Sequence, residues 1–347
     1  MTADPVAATT AYEDWLATRI PVVREDLELK HRELAADPLR FLRGTYYLWL
    51  ERVAELVPAL LDGQQVPAVG DLHVQNFGTW RDHRGVRRWG VNDLDELAWA
   101  PPALDLLRLA VSAVLSPQVP ISPKQICRLL LAAWSTAKPG RAVDLSDPDA
   151  GHLRALVPKR ADTDRYYGKL REGAPADPSI LPPAVLKAVT VADPTWHHRQ
   201  AGTGSLGHPR LVAVGKDIAR EVKVVGPPTA LYVQVGVQPD DLLYGRVLTA
   251  VRGPDPMRRI DGWQLRALAP DVERITIESL RPRAVEVVLT SMARAAANVH
   301  GVIPHHLHDA RQYVGTLPPS WLHDATRQLT ADTKSRYDEY VAHPLNQ

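Results

Sequence analysis

The segment Gly70-Asp71-Leu72-His73-Val74-Gln75-Asn76-Phe77-Gly78, followed by Val91-Asn92-Asp93-Leu94-Asp95-Glu96, restricts what this chain can become. Asp71 and Asn76 stand five residues apart, and Asp93 follows seventeen later. Between them, Trp80 to Trp89 reads as two short strands around an Asp82-His83-Arg84-Gly85 turn. A hairpin of that kind brings an acid, an amide and a second acid to one place. Such a set can hold one or two Mg²⁺ ions and orient a hydroxyl, as the catalytic loop of phosphoryl transfer must. A fold built around it then needs a phosphate-cradling glycine loop and a lysine from elsewhere in the chain.

The 347 residues are 45% hydrophobic and 23% charged, a globular composition with length enough for a large core or two lobes. A formal net charge of +1 gives no electrostatic case for nucleic-acid binding. No apolar run is long enough to cross a membrane, and Met1-Thr2-Ala3-Asp4-Pro5 lacks the pattern of a secretory leader, so a cytoplasmic protein is expected. The single cysteine, Cys127, rules out a disulfide within the chain and reads as a small buried hydrophobe. Oligomeric state is left open.

Helical spacing covers residues 10 to 36, with Pro21 placed to split it. Asp37-Pro38 opens a helix expected to reach about Leu61. Val66 to Val69 reads as a strand, and helices are expected over about 103–115, 122–137 and 162–171. Near Thr195 the pattern turns strand-like. Arg210 to Val214, Ala219 to Val225 and Ala230 to Val235 read as an antiparallel meander, 240–251 as a helix, and Gly262 to Leu268 as a further strand. Helices are expected again over 284–299 and 319–340.

Gly202-x-Gly204-Ser205-x-Gly207 is a G-x-G-x-x-G sequence, a weak signal alone. Pro209 and a β-rich run follow it, so the setting is strand–loop–strand rather than the strand–loop–helix of a dinucleotide fold. Glycines without Cβ let backbone N–H groups approach phosphates. Lys223 lies 21 residues after Gly202, on the next strand, where it can reach back to them. The alternative is an edge-strand lysine facing solvent. No glutamate is evident to pair with it; the helix at 240–251 offers only Asp240 and Asp241.

Asp71-x-x-x-x-Asn76 followed by Asp93 resembles the catalytic segment of the aminoglycoside-phosphotransferase branch of the protein-kinase-like fold. From about residue 30 to 340 the chain resembles the DUF2252 family more closely. Phe41-Leu42-Arg43-Gly44, the Gly70–Gly78 and Asn92–Glu96 segments, Asp105-Leu106-Leu107-Arg108-Leu109, Gly204–Gly207, Val222-Lys223 and Ala297-Asn298-Val299-His300 carry that likeness. It implies an α+β, two-lobed, kinase-like fold, circularly permuted or rearranged, because the catalytic segment precedes the glycine loop. The expected division is a helical catalytic lobe over 1–190, a β-rich nucleotide lobe over 191–270, and returning helices over 271–347.

In this reading Asp71 orients the acceptor's proton, and Asn76 and Asp93 bind Mg²⁺. Asp95 either replaces Asp93 or binds a second ion. Gly202, Gly204, Ser205, Gly207 and Lys223 hold ATP. Asp105 and Arg43 organise the catalytic lobe, and Arg266 is a surface or ion-pairing residue. The expected activity is ATP- and Mg²⁺-dependent phosphorylation of a small-molecule hydroxyl or amine. AMP transfer and non-catalytic nucleotide binding are the alternatives.

Overall fold

Proline and capping side chains set the first helices of the computed structural model, which describes residues 4–158, 162–237, 241–252 and 257–343. The carboxylate of Asp4 accepts from Val6 N at the start of α1 (Pro5–Ala17), and Pro21 separates this helix from α2 (Arg24–Leu34). Asp37 caps α3 (Pro38–Gly44) through Arg40 N at 2.9 Å. The single helix expected from here to Leu61 is broken at Thr45, whose backbone leaves the helical region and whose hydroxyl donates to Phe41 O. The chain continues as α4 (Tyr46–Leu56) and a 3₁₀ turn, Pro58–Leu61.

Strand β1 (Val66–Ala68) leads into the Gly70 loop and pairs with β4 (Ala98–Ala100). Between them, β2 (Phe77–Arg81) and β3 (Arg87–Val91) form the expected hairpin. Its turn is fastened by Asp82 Oδ1, which accepts from Arg84 N and Val86 N. A short β5 (Val143–Asp144) adds to β3. Helices α5 (Pro102–Leu115) and α6 (Pro123–Thr136) follow β4; α7 (Gly151–Arg154), α8 (Thr163–Arg171) and α9 (Pro183–Ala188) span the less regular middle.

The third sheet is five-stranded and antiparallel throughout. It contains β6 (Thr195–His198), β7 (Arg210–Val214), β8 (Ala219–Val224), β9 (Arg258–Ile260) and β10 (Trp263–Leu268), in the order β6-β7-β8-β10-β9. Residues 230–235, expected to extend the meander, instead contain α10 (Thr229–Tyr232). Two contacts account for the difference. The free edge of β8 is taken by β10, and the Thr229 N–H is taken by the Glu96 carboxylate at 2.6 Å. After α11 (Asp241–Val247), which passes into a π turn over Leu248–Arg252, the chain closes with α12 (Pro282–His300), α13 (Pro304–Thr316) and α14 (Trp321–Ala342). Asp240 lies outside the described residues.

The fold is α+β with small antiparallel sheets. The larger apolar cluster joins α4, α5, α6, α12 and α14 to β1–β4 and buries Cys127. A second joins α1 and α3 to the inner positions of β7, β8 and β10, with Tyr12 stacked on Tyr47 at 4.2 Å. The Gly70 loop and the Asp93–Glu96 segment lie where elements of both clusters meet.

Candidate active site

One face of α5 holds the Gly70 loop. Asp105, Arg108 and Ser112 follow i, i+3, i+7 spacing and so project together. The buried Asp105 carboxylate accepts from Val69 N (2.7 Å), Gly70 N (2.9 Å) and His300 Nε2–H (2.8 Å). Trp134 Nε1–H donates to His300 Nδ1 at 2.9 Å, which places the imidazole hydrogen on Nε2. Ser112 Oγ accepts from Val74 N at 3.0 Å. His73 Nδ1 accepts from Gln75 N at 3.2 Å, so this histidine braces its own loop. Gly70 has φ +93°, and a Cβ there would sit 2.3 Å from the Glu96 carbonyl oxygen. Only glycine lets the loop lie on the 93–96 segment this closely.

Arg108 Nε and Nη2 both reach Asp71 Oδ1 at 2.5 Å. The guanidinium is buried above Tyr46 and Trp49, 4.6 and 4.9 Å from their ring centres. Burial pushes the Asp71 carboxyl up to about 6; Arg108 and Arg43 pull the other way, and Asp93 adds to the rise. Asn76 donates Nδ2–H to the Asp71 carbonyl, and its own carbonyl accepts from Asn92 N at 2.7 Å. The two halves of the opening motif are thereby tied together. Asp93 accepts from Asp95 N at 3.1 Å and has no ion-pair partner among the described residues.

From the far end of the sequence, Lys223 enters on β8, the middle strand of the five-stranded sheet. It is buried rather than facing solvent, and its ammonium contacts Asp95 Oδ2. Its neighbour across the strands, Gln264, donates to Asp95 Oδ1 at 2.7 Å. Both Asp95 oxygens are therefore engaged by β8 and β10, and Asp95, expected beside a metal, is here the acidic partner of Lys223. Burial alone would raise the Asp95 pKa, but Lys223 outweighs it and holds the carboxyl well below its usual range. The acid that pairs with Lys223 thus comes from the Asp93–Glu96 segment rather than from a helix near 240.

Glu221, two residues before Lys223, shares its face of the sheet. Buried there, it contacts Arg199, Arg210 and Arg266. Burial would raise its pKa, but the three guanidinium groups hold it well below the ordinary carboxylate value. Arg210 also donates to Ser205 Oγ at 2.6 Å and so fastens the glycine segment to this cluster.

The glycine segment joins β6 to β7, the strand–loop–strand setting expected for it. Gly202 (φ +77°) and Gly207 (φ +98°) adopt left-handed backbone. Gly204 is needed for close approach: a Cβ would lie 3.1 Å from the Arg43 carbonyl and 3.6 Å from Asp71 Oδ2. The cavity beneath, about 80 Å³, is lined by Asp71, Asn76, Asp93, Asp95, Gly202, Gly204 and Ser205. Gly207 and Lys223 do not line it; Gly207 turns the chain toward β7, and Lys223 reaches the site through Asp95.

Two lining side chains escaped the sequence reading in this position. Arg43 and Arg274 face the same cavity, and neither guanidinium has a hydrogen-bond or ion-pair partner among the described residues. Burial and the nearby Arg274 charge push Arg43 down to about 10. Glu96, with its pKa raised by burial to about 7, accepts from Thr229 N and Thr229 Oγ–H along the same wall. Among the described residues no group of three or more His, Cys, Asp or Glu side chains is placed to hold a metal. The oxygen donors that fit Mg²⁺ are the Asp93 carboxylate, without an ion-pair partner among the described residues, and the Asn76 side-chain carbonyl, a small set suited to an ion that keeps water and phosphate ligands.

No curated protein and no solved structure matches the chain. A family model does: residues 21–138 match the family described as uncharacterized protein conserved in bacteria (DUF2252). That stretch contains Arg43, Asp71, Asn76, Asp93, Asp95, Asp105 and Arg108, whereas the glycine segment, Lys223, Glu221 and Arg274 lie beyond it.

Proposed function

We propose that this protein is an ATP- and Mg²⁺-dependent phosphotransferase acting on a small-molecule hydroxyl or amine, with a two-lobed, kinase-like arrangement whose β-rich part is encoded late. The carrying observation is the meeting of Lys223 with Asp95, across 128 positions of sequence, beside a cavity that Asp71, Asn76, Asp93 and the glycine segment line together. A buried lysine paired to an acid next to a glycine turn suits a triphosphate. Asp71 is aimed by Arg108 and receives the acceptor's proton. The acceptor oxygen or nitrogen bonds to the γ-phosphorus as the bond to the β,γ-bridging oxygen breaks, and ADP leaves with that electron pair. Asp93 and Asn76 would hold Mg²⁺, which supplies charge neutralisation to the transferring group. Arg43 and Arg274, with no hydrogen-bond or ion-pair partner among the described residues, bring further positive charge to the same place.

Incubation with γ- and α-labelled ATP, Mg²⁺ and a metabolite extract tests this. Transfer of γ label is expected. Transfer of α label alone would indicate an AMP-transferring enzyme, and saturable ATP binding without transfer a regulatory module. Equal ATP affinity in the Lys223→Ala/Asp93→Ala variant would refute the assigned site.

A pH profile probes Asp71 separately. As a proton acceptor it works as the carboxylate, so kcat/KM of the free enzyme is expected to rise as pH climbs through about 6. Because Glu96 titrates near 7, the profile is repeated in Glu96→Gln. A limb near pH 6 that persists there belongs to Asp71; its disappearance would assign the limb to Glu96.

A further inference from the structure

Resting on that reading, we propose that the acceptor itself carries a phosphate group, held in an arginine-lined pocket next to the cleft. This second cavity, about 510 Å³, is of the size of ordinary small-molecule sites. Gly202 and Arg274 line both cavities, so the two adjoin at the glycine segment. A molecule with one end here can present its other end toward Asp71.

The pocket's charge points to the ligand class. Arg199, Arg266 and Arg274 line it, and Glu273 is the one carboxylate among the described lining residues. Arg199, Arg266 and the neighbouring Arg210 share the single carboxylate of Glu221. Arg266 spends only Nε on it, at 2.6 Å, which leaves both terminal nitrogens without a partner among the described residues. Arg199 spends only Nη1. Arg274 is engaged by no hydrogen bond or ion pair among the described residues. Arg81 and Arg252 also line the pocket but are committed elsewhere, Arg81 to Asp271 and Arg252 to the carbonyls of Val91 and Asn92.

Glu221 thus does two things. It neutralises part of the cluster, and it orients two guanidinium groups with their remaining donors available. Forked donors fixed in this way match the oxygens of a phosphate monoester. Lys223 and the glycine segment provide separately for the nucleotide, so Arg199 and Arg266, which line only the second cavity, are surplus to what ATP requires.

The test is calorimetric titration of inorganic phosphate into the full chain, alone and with saturating Mg²⁺ and a non-hydrolysable ATP analogue. Saturable phosphate binding that survives the nucleotide is expected. Arg274→Gln and Arg199→Gln should each weaken it about tenfold or more, the effect of removing a charged hydrogen-bonding partner. Arg84→Gln, on the β2–β3 turn, should leave it unchanged. No phosphate binding, or equal binding in the arginine variants, overturns the proposal. Phosphate binding abolished by the analogue also overturns it, because the arginines then serve the nucleotide's own phosphates. Failure of the analogue to bind at all strikes the phosphotransferase reading instead, so the two failures are told apart in one experiment.

Discussion

Asp71→Asn is expected to lower the rate of phosphoryl transfer by about 10²–10⁴-fold, the range for losing a positioned proton acceptor. Asparagine keeps the size of the side chain and one oxygen for the Arg108 guanidinium, so the loop is preserved. What is lost is basicity at the atom that faces the acceptor. ATP·Mg²⁺ affinity, measured by calorimetry, should stay within about threefold of the unsubstituted protein if this residue acts on the acceptor rather than on the nucleotide. The pH limb near 6 should vanish with it. Full activity in Asp71→Asn would remove Asp71 from the chemistry. Loss of ATP binding together with rate would recast it as part of the nucleotide site.

The largest stability effect is expected at Asp105. Its carboxylate satisfies Val69 N, Gly70 N and His300 Nε2–H in a fully buried position. Asp105→Ala strands three donors at a buried position. The expected loss is about 3–5 kcal/mol, the magnitude for breaking a buried polar network on one side. Urea denaturation followed by circular dichroism reads it as a fall in midpoint with little change in slope. Trp134→Phe removes only the outermost donor and should cost about 1 kcal/mol. A midpoint shift in Asp105→Ala no larger than that of Trp134→Phe would show that the network does not hold the loop.

Local signals in the sequence were sufficient for most individual elements. The Asp37-Pro38 start, the Asp82–Gly85 turn and the Ser122-Pro123 start depend on neighbouring residues alone, and each appears where expected. Three kinds of feature were not legible. The break at Thr45 depends on a threonine hydroxyl satisfying a carbonyl, which no periodicity records. Residues 229–235 depend on a competition between segments: β10 occupies the edge of β8, and Glu96 takes the Thr229 N–H. The partners of Lys223 and Asp105 lie 128 and 195 positions away, so spacing carried no trace of them. The arginines were visible as residues, but the sequence reading did not single out Glu221, and its shared carboxylate becomes evident only when β6, β7 and β10 are aligned on β8.

The His300–Asp105 contact bears on how the protein is made. At ordinary synthesis rates of about 5–20 residues per second, the 195 positions between them correspond to roughly 10–40 s during which the Gly70 loop has left the ribosome without its buried imidazole. Lys223 is synthesised earlier in that interval, before α12. Premature termination before α12 would yield a product bearing every assigned catalytic side chain and lacking the clasp that fixes them, a species suited to chaperone capture rather than turnover.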